Sequence, residues 1–115
     1  WENNLQEIPE DIFKISTIEQ LYVCDRILRL SGSISKLENL KILNLEGNLI
    51  SELPDEIGTL NKLEFLNLSY NNITEIPLSI LSLKVLKKID IRSNQITRKD
   101  SVLKKLDDNG VEVLI

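Results

Sequence analysis

Histidine is absent from this 115-residue chain, as are methionine and alanine, and cysteine occurs once. Without histidine, neither a Ser-His-Asp nor a Cys-His arrangement can form. The single Cys24 excludes an intrachain disulfide, and it excludes zinc bound through several Cys or His ligands. Four glycines are too few and too scattered to cradle a phosphate, and neither G-x-x-x-x-G-K-[ST] nor G-x-G-x-x-G occurs. Aromatics make up 4% of the residues, so an aliphatic core is expected. No apolar run approaches the ~18 residues of a membrane-spanning helix. The opening "WENNLQEIPE" is too polar and acidic for a signal peptide. The expectation is therefore no catalytic residue, no cofactor, no metal and no membrane insertion.

With 42% hydrophobic and 28% charged residues, the chain has the composition of an ordered protein. Its net charge of -4 disfavours nucleic acid as a partner, since phosphate-backbone binding needs clustered cations. Lys84, Lys87, Lys88, Arg92, Arg98 and Lys99 make the C-terminal part locally basic and are read as a solvated face. Asp55-Glu56 and Asp107-Asp108 are read as solvated turn and cap residues rather than paired catalytic acids. A lone cysteine favours a reducing compartment, so a cytoplasmic location is expected, with secretion or a bacterial surface as the alternatives. The chain starts at Trp1 rather than methionine, the expectation for a trimmed or processed fragment.

The apolar residues follow neither a steady alternation nor a steady helical stripe. In "LNLEGNLISELPDEIGTL" leucine or isoleucine stands at 43, 45, 50, 53, 57 and 60, besides Leu49. Such spacing fits a strand that turns and coils back. The pattern repeats. "LKILNLEGNLISELPDEIGTLNK" (40–62) and "LEFLNLSYNNITEIPLSILSLKV" (63–85) share the frame L-x-x-L-x-L-x-x-N-x-I-x-x-[LI]-P-x-x-I-x-x-L with a period of 23. A unit at 18–39 is one residue shorter. It keeps Ile18, Leu21, Val23 and Leu28, but has Arg26 in place of Asn and "LSGSIS" in place of the proline turn. Residues 1–17 hold the second half of a unit, and 86–115 a divergent last one or cap.

These units resemble the leucine-rich repeat family, in the subclass with about 23 residues per repeat and a Leu-Pro turn. The resemblance covers nearly the whole chain. It implies an α/β solenoid, a right-handed superhelix bent into a horseshoe arc. A parallel sheet would line the concave face, with short helical or 3-10 segments on the convex side. It also implies a protein-interaction module or, alternatively, the recognition or regulatory segment of a larger enzyme such as a ligase, kinase or cyclase.

The residues support the same architecture physically. "LxxLxL" is a short strand whose leucines enter the core. Asn3, Asn48, Asn71 and Asn94 follow the strand positions, and an amide side chain there can donate and accept. Stacked, they form a ladder that satisfies buried backbone groups. Arg26 has no acceptor, so the loop near 26–34 is expected to depart from the pattern. Pro54 and Pro77 end the pairing and start the return. After Ile96, Asp100 or Ser101 caps a helix carrying Val102, Leu103 and Leu106, Asn109-Gly110 stops it, and Val111, Val113 and Ile115 alternate as a last strand. The N-terminal side enters in mid-repeat with no evident cap, which predicts an open edge and self-association through it.

A partner would read the strand residues that do not enter the core. The register gives one column of Gln20, Ile42, Phe65 and Lys88, and a second of Tyr22, Asn44, Asn67 and Asp90. A third holds Trp1, Cys24, Glu46, Ser69 and Arg92, with Asp25, Gly47, Tyr70 and Ser93 beside it. Tyr22, Ile42, Phe65 and Tyr70 are the expected anchors, since aromatic residues dominate interface energetics. Charge grades from acidic Asp25 and Glu46 to basic Lys88 and Arg92, which would orient a protein or peptide partner.

Overall fold

The computed structural model describes residues 6–97 and 99–115. Trp1 and Asn3, assigned above to the third column and to the ladder, lie outside the described residues, as does Arg98. Five strands form one parallel sheet in chain order: β1 (Gln20–Tyr22), β2 (Ile42–Asn44), β3 (Phe65–Asn67), β4 (Lys88–Asp90) and β5 (Glu112–Leu114). The 3-10 helix η1 (Glu10–Lys14) precedes β1, and between strands the chain returns through 3-10 helices η2 (Gly32–Lys36), η3 (Asp55–Thr59) and η4 (Leu78–Ser82), and finally through α1 (Ser101–Asp108). This is the strand–turn–coil path that the mixed spacing predicts.

The register matches equivalent repeat positions. Gln20 pairs with Ile42, Ile42 with Phe65, and Phe65 with Lys88. Each strand is three residues long, and its central residue points inward toward the return segment. Leu43, Leu45, Leu66, Leu68, Ile89 and Ile91 enter the core, and Ile34, Ile57 and Ile80 meet them from the 3-10 helices. A coil buries its apolar edge only against its neighbours, so stacking supplies the stability.

Proline starts η3 and η4 because it presets φ and its missing N–H falls where no partner is needed. Asp55 and Glu56 occupy the first turn of η3, as expected. Ser31 replaces proline before η2. Its φ of -67° and ψ of 146° nearly reproduce the -71° and 151° of Pro54, and its hydroxyl accepts from the Ser33 N–H. The predicted departure therefore ends early. It is confined to the turn after Val23, where Arg26 adopts a φ of 58° and the chain is one residue shorter. That shortening also corrects the frame. Ile27, not Leu28, is the fully buried residue equivalent to Ile50, while Leu28 lies partly exposed beside Leu49.

The core is not wholly aliphatic. Phe13, on η1, is 1% exposed and fills the N-terminal end of the described core. At the other end Asp100 caps α1 by accepting from the Val102 and Leu103 N–H groups, and Gly110 ends it at a φ of 89°. Leu103, Leu106 and Val111 are buried, and β5 then pairs with β4.

Candidate functional site

The asparagine ladder fixes the loops that rim the sheet. Asn71 Nδ2 donates to the carbonyls of Leu45 (2.9 Å), Leu68 (3.0 Å) and Ser69 (3.2 Å), and its Oδ1 accepts from the Ile50 N–H (3.0 Å). Asn48 donates to Val23 O and Leu45 O and accepts from Asp25 and Ile27. Asn94 repeats the pattern with Leu68 O, Ile91 O and Ile73 N. Each amide thus serves its own coil and the one before it. Asn48 satisfies the turn of the short repeat, whose own Arg26 has no acceptor.

Between these loops and the sheet, the residues expected to meet a partner divide into two groups. Gln20, Ile42, Phe65 and Lys88 form one column and Tyr22, Asn44, Asn67 and Asp90 another, by direct strand register. Both columns extend onto β5, where Glu112 follows Lys88 and Leu114 follows Asp90. Those two were not assigned from the sequence, because the last repeat lacks the frame that would align them.

Ile42 and Phe65 are half-buried neighbours on the concave face, and the Lys88 ammonium lies 5.5 Å from the Phe65 ring centroid. They floor a hollow bounded by Gln20, Lys41, Glu64, Lys87 and Lys88. Tyr22 and Tyr70 are 60% and 61% exposed. Tyr70 also holds a φ of 57° at the position taken by Gly47 in the preceding coil. Ser93 takes the same conformation in the next coil, with a φ of 59°, so the left-handed residue is a feature of this turn and marks no special strain at Tyr70.

Asn67 and Asp90 correct the reading that this whole column is free for a partner. They are 8% and 3% exposed. Each side chain folds back onto the backbone two residues on, as does Asn44, which accepts from the Glu46 N–H. Asn67 Oδ1 also accepts from the Ser69 hydroxyl (2.7 Å), which contacts Glu46 Oε1 at 3.1 Å. The Asp90 carboxylate takes Arg92 Nε at 3.0 Å and Nη2 at 2.7 Å. Glu46, Ser69 and Asn67 therefore form one polar group at the rim, and Asp90 and Arg92 a second. The basic end of the expected charge gradient is partly neutralised within the chain.

Burial alone would raise the Asp90 pKa, but the Arg92 hydrogen bonds and charge, with Lys88, outweigh it and hold the carboxyl below the usual range. Because the folded pKa is depressed, the stabilisation is present at neutral pH and lost as pH falls through the folded value. Asp90→Asn should cost about 1.5 kcal/mol at pH 7, the low end for a charged hydrogen bond because Arg92 is exposed. That difference should shrink in urea titrations as the pH falls below the ordinary carboxylate range and through the depressed folded value. A cost independent of pH would contradict the assignment.

A second set of charges runs along the residues before each strand. Lys41 pairs with Glu19 at 3.1 Å and Lys87 with Glu64 at 2.9 Å. Lys87, through a hydrogen bond and its charge, holds the Glu64 carboxyl low, with help from Lys41. Cys24 is exposed, with Sγ 3.6 Å from Gly47 O. Among the described residues no group of three or more His, Cys, Asp or Glu could hold a metal ion, and no helix is long and apolar enough to cross a membrane.

A parallel sheet repeated at a fixed period, backed by 3-10 returns and tied by an asparagine ladder, defines a solenoid of stacked coils. The chain belongs to the leucine-rich repeat family: the profile of a leucine-rich repeat region matches residues 28–108. It is similar to a leucine-rich repeat protein of Leptospira interrogans, with 29% identity and a TM-score of 0.90 over 100% of this chain. It shares its fold with an internalin of Listeria monocytogenes, at 20% identity and a TM-score of 0.75 over 94% of this chain. It spans only 30% and 31% of those two chains. No curated protein matches it. Repeats of this kind serve generally as scaffolds for protein interaction.

Proposed function

We propose that the concave face and adjacent loops bind a protein or peptide, with Ile42 and Phe65 as the central anchor and Tyr22 and Tyr70 as flanking contacts. The observation that carries this reading is the placement of half-buried Ile42 and Phe65 and of highly exposed Tyr22 and Tyr70 on and beside strands whose Asn44, Asn67 and Asp90 side chains are bonded back to the backbone. Such a surface is pre-ordered, so little entropy is lost on binding. Glu46, Lys88 and Arg92 then orient the partner at the rim, while Asn44, Asn67 and Asp90 hold the strand ends in shape.

The test compares capture of partners from the native source by wild type, Phe65→Ala and Ile42→Ser. Each substitution should weaken binding at least about tenfold. Each should cost about 1 kcal/mol or less in urea unfolding, since neither side chain fills the core. Undiminished capture by both variants would overturn the proposal. So would a large loss of stability that accounts for the lost capture.

A further inference from the structure

Resting on that reading, we infer that the hollow over Ile42 and Phe65 takes an extended acidic peptide, seating one apolar side chain next to a carboxylate. The charges around the hollow carry the inference. Three lysines, Lys41, Lys87 and Lys88, line it against one carboxylate, Glu64. Glu19, outside the hollow, pairs with Lys41, so one positive charge remains in excess, in a chain of net charge -4. Lys41 and Lys87 each hold a glutamate within salt-bridge distance, and Arg92 holds Asp90.

Lys88 differs from these cations. It is half-buried beside the Phe65 ring, and no carboxylate lies within 4.0 Å of it among the described residues. Glu112, its register partner on β5, is exposed and forms no ion pair with it. A half-buried lysine whose ammonium lies beside an aromatic face, with only the longer-range attraction of Asp90, gains from an incoming carboxylate, because a charge-assisted hydrogen bond is strong where water is partly excluded. The apolar floor beneath it supplies the non-directional part of the contact. The occupant is thus a residue such as leucine or phenylalanine flanked by glutamate or aspartate. Glu112 competes for the same ammonium from within the chain.

The experiment titrates three fluorescein-labelled decapeptides, identical except that a central leucine is flanked by glutamates, glutamines or lysines, and follows anisotropy. The glutamate peptide should bind at least about tenfold tighter than the lysine peptide, and Lys88→Gln should remove about tenfold of that preference. Glu112→Gln should tighten it. Urea unfolding confirms that Lys88→Gln is folded. Equal binding of all three peptides, abolished by Phe65→Ala, overturns the acidic-peptide assignment and leaves the concave anchor standing. Binding of none at millimolar peptide overturns the assignment. Binding that is indifferent to Lys88, Phe65 and Ile42 overturns both it and the proposed function.

Discussion

Asn71→Ala is expected to cost about 3–5 kcal/mol, more than any exposed substitution in the chain. Its amide donates to Leu45 O, Leu68 O and Ser69 O and accepts from the Ile50 N–H, and the residue is 6% exposed. Each buried group left without a partner costs about 1–3 kcal/mol, partly relieved if water enters. For a domain of this size the fall in Tm should be roughly 10–20 °C. Two of the bonds cross to the preceding coil, so the loss weakens stacking itself. Asn72→Ala, one residue away and exposed, should change stability by about 0.5 kcal/mol or less. Asn71→Asp sharpens the test. It keeps the acceptor for Ile50 but aims a negative charge at three carbonyls, so its deficit should be at least as large at pH 7. The deficit should shrink as the pH falls and the acid gains a proton to donate. A scan in which Asn71→Ala and Asn72→Ala unfold together would sink the ladder.

Gly58→Ala should be the other severe change, for a steric reason. A β-carbon there would lie 2.3 Å from Ser79 O and 2.9 Å from the Ser79 carbonyl carbon. These are backbone atoms of η4, which packs directly on η3. The helices must separate, and overpacking of this kind costs about 3 kcal/mol or more. Gly32→Ala meets instead the flexible Glu56 carboxylate, which can move. At Gly110 nothing lies nearby, and alanine faces only its φ of 89°, at about 1–2 kcal/mol. Urea unfolding of the three variants should rank Gly58→Ala as much the least stable. A Gly58→Ala protein as stable as wild type would mean that η3 and η4 do not meet as described.

The two variants differ in how far the sequence alone foretells them. Asn71 is readable as a ladder residue because it recurs at 48, 71 and 94 after equivalent strands. Gly58 is not, because its partner Ser79 lies one coil away and nothing in the local sequence marks the approach. The same contrast runs through the concave face. Register follows from the period, so the neighbours of Ile42 and Phe65 were legible. Burial of Asn67 and Asp90 was not, since a polar residue at an outward strand position reads as exposed until its side chain is seen bonding to the backbone. In the sequence Leu28 aligns with Ile50 because the one-residue shortening after Val23 can be placed on either side of Ile27. Only stacking against Ile50 decides between them.

The sequence by itself determined the solenoid, its period, the strand register, the ladder and the C-terminal helix cap. All of these depend on spacing along one chain repeated often enough to leave one solution. The tertiary structure alone decided which outward side chains stay free, that Asp90 pairs with Arg92 and not with Lys88, where the short repeat closes, and that Phe13 belongs to the core. Those outcomes depend on distances between coils, and on which of several polar partners a side chain reaches first. A linear pattern carries neither.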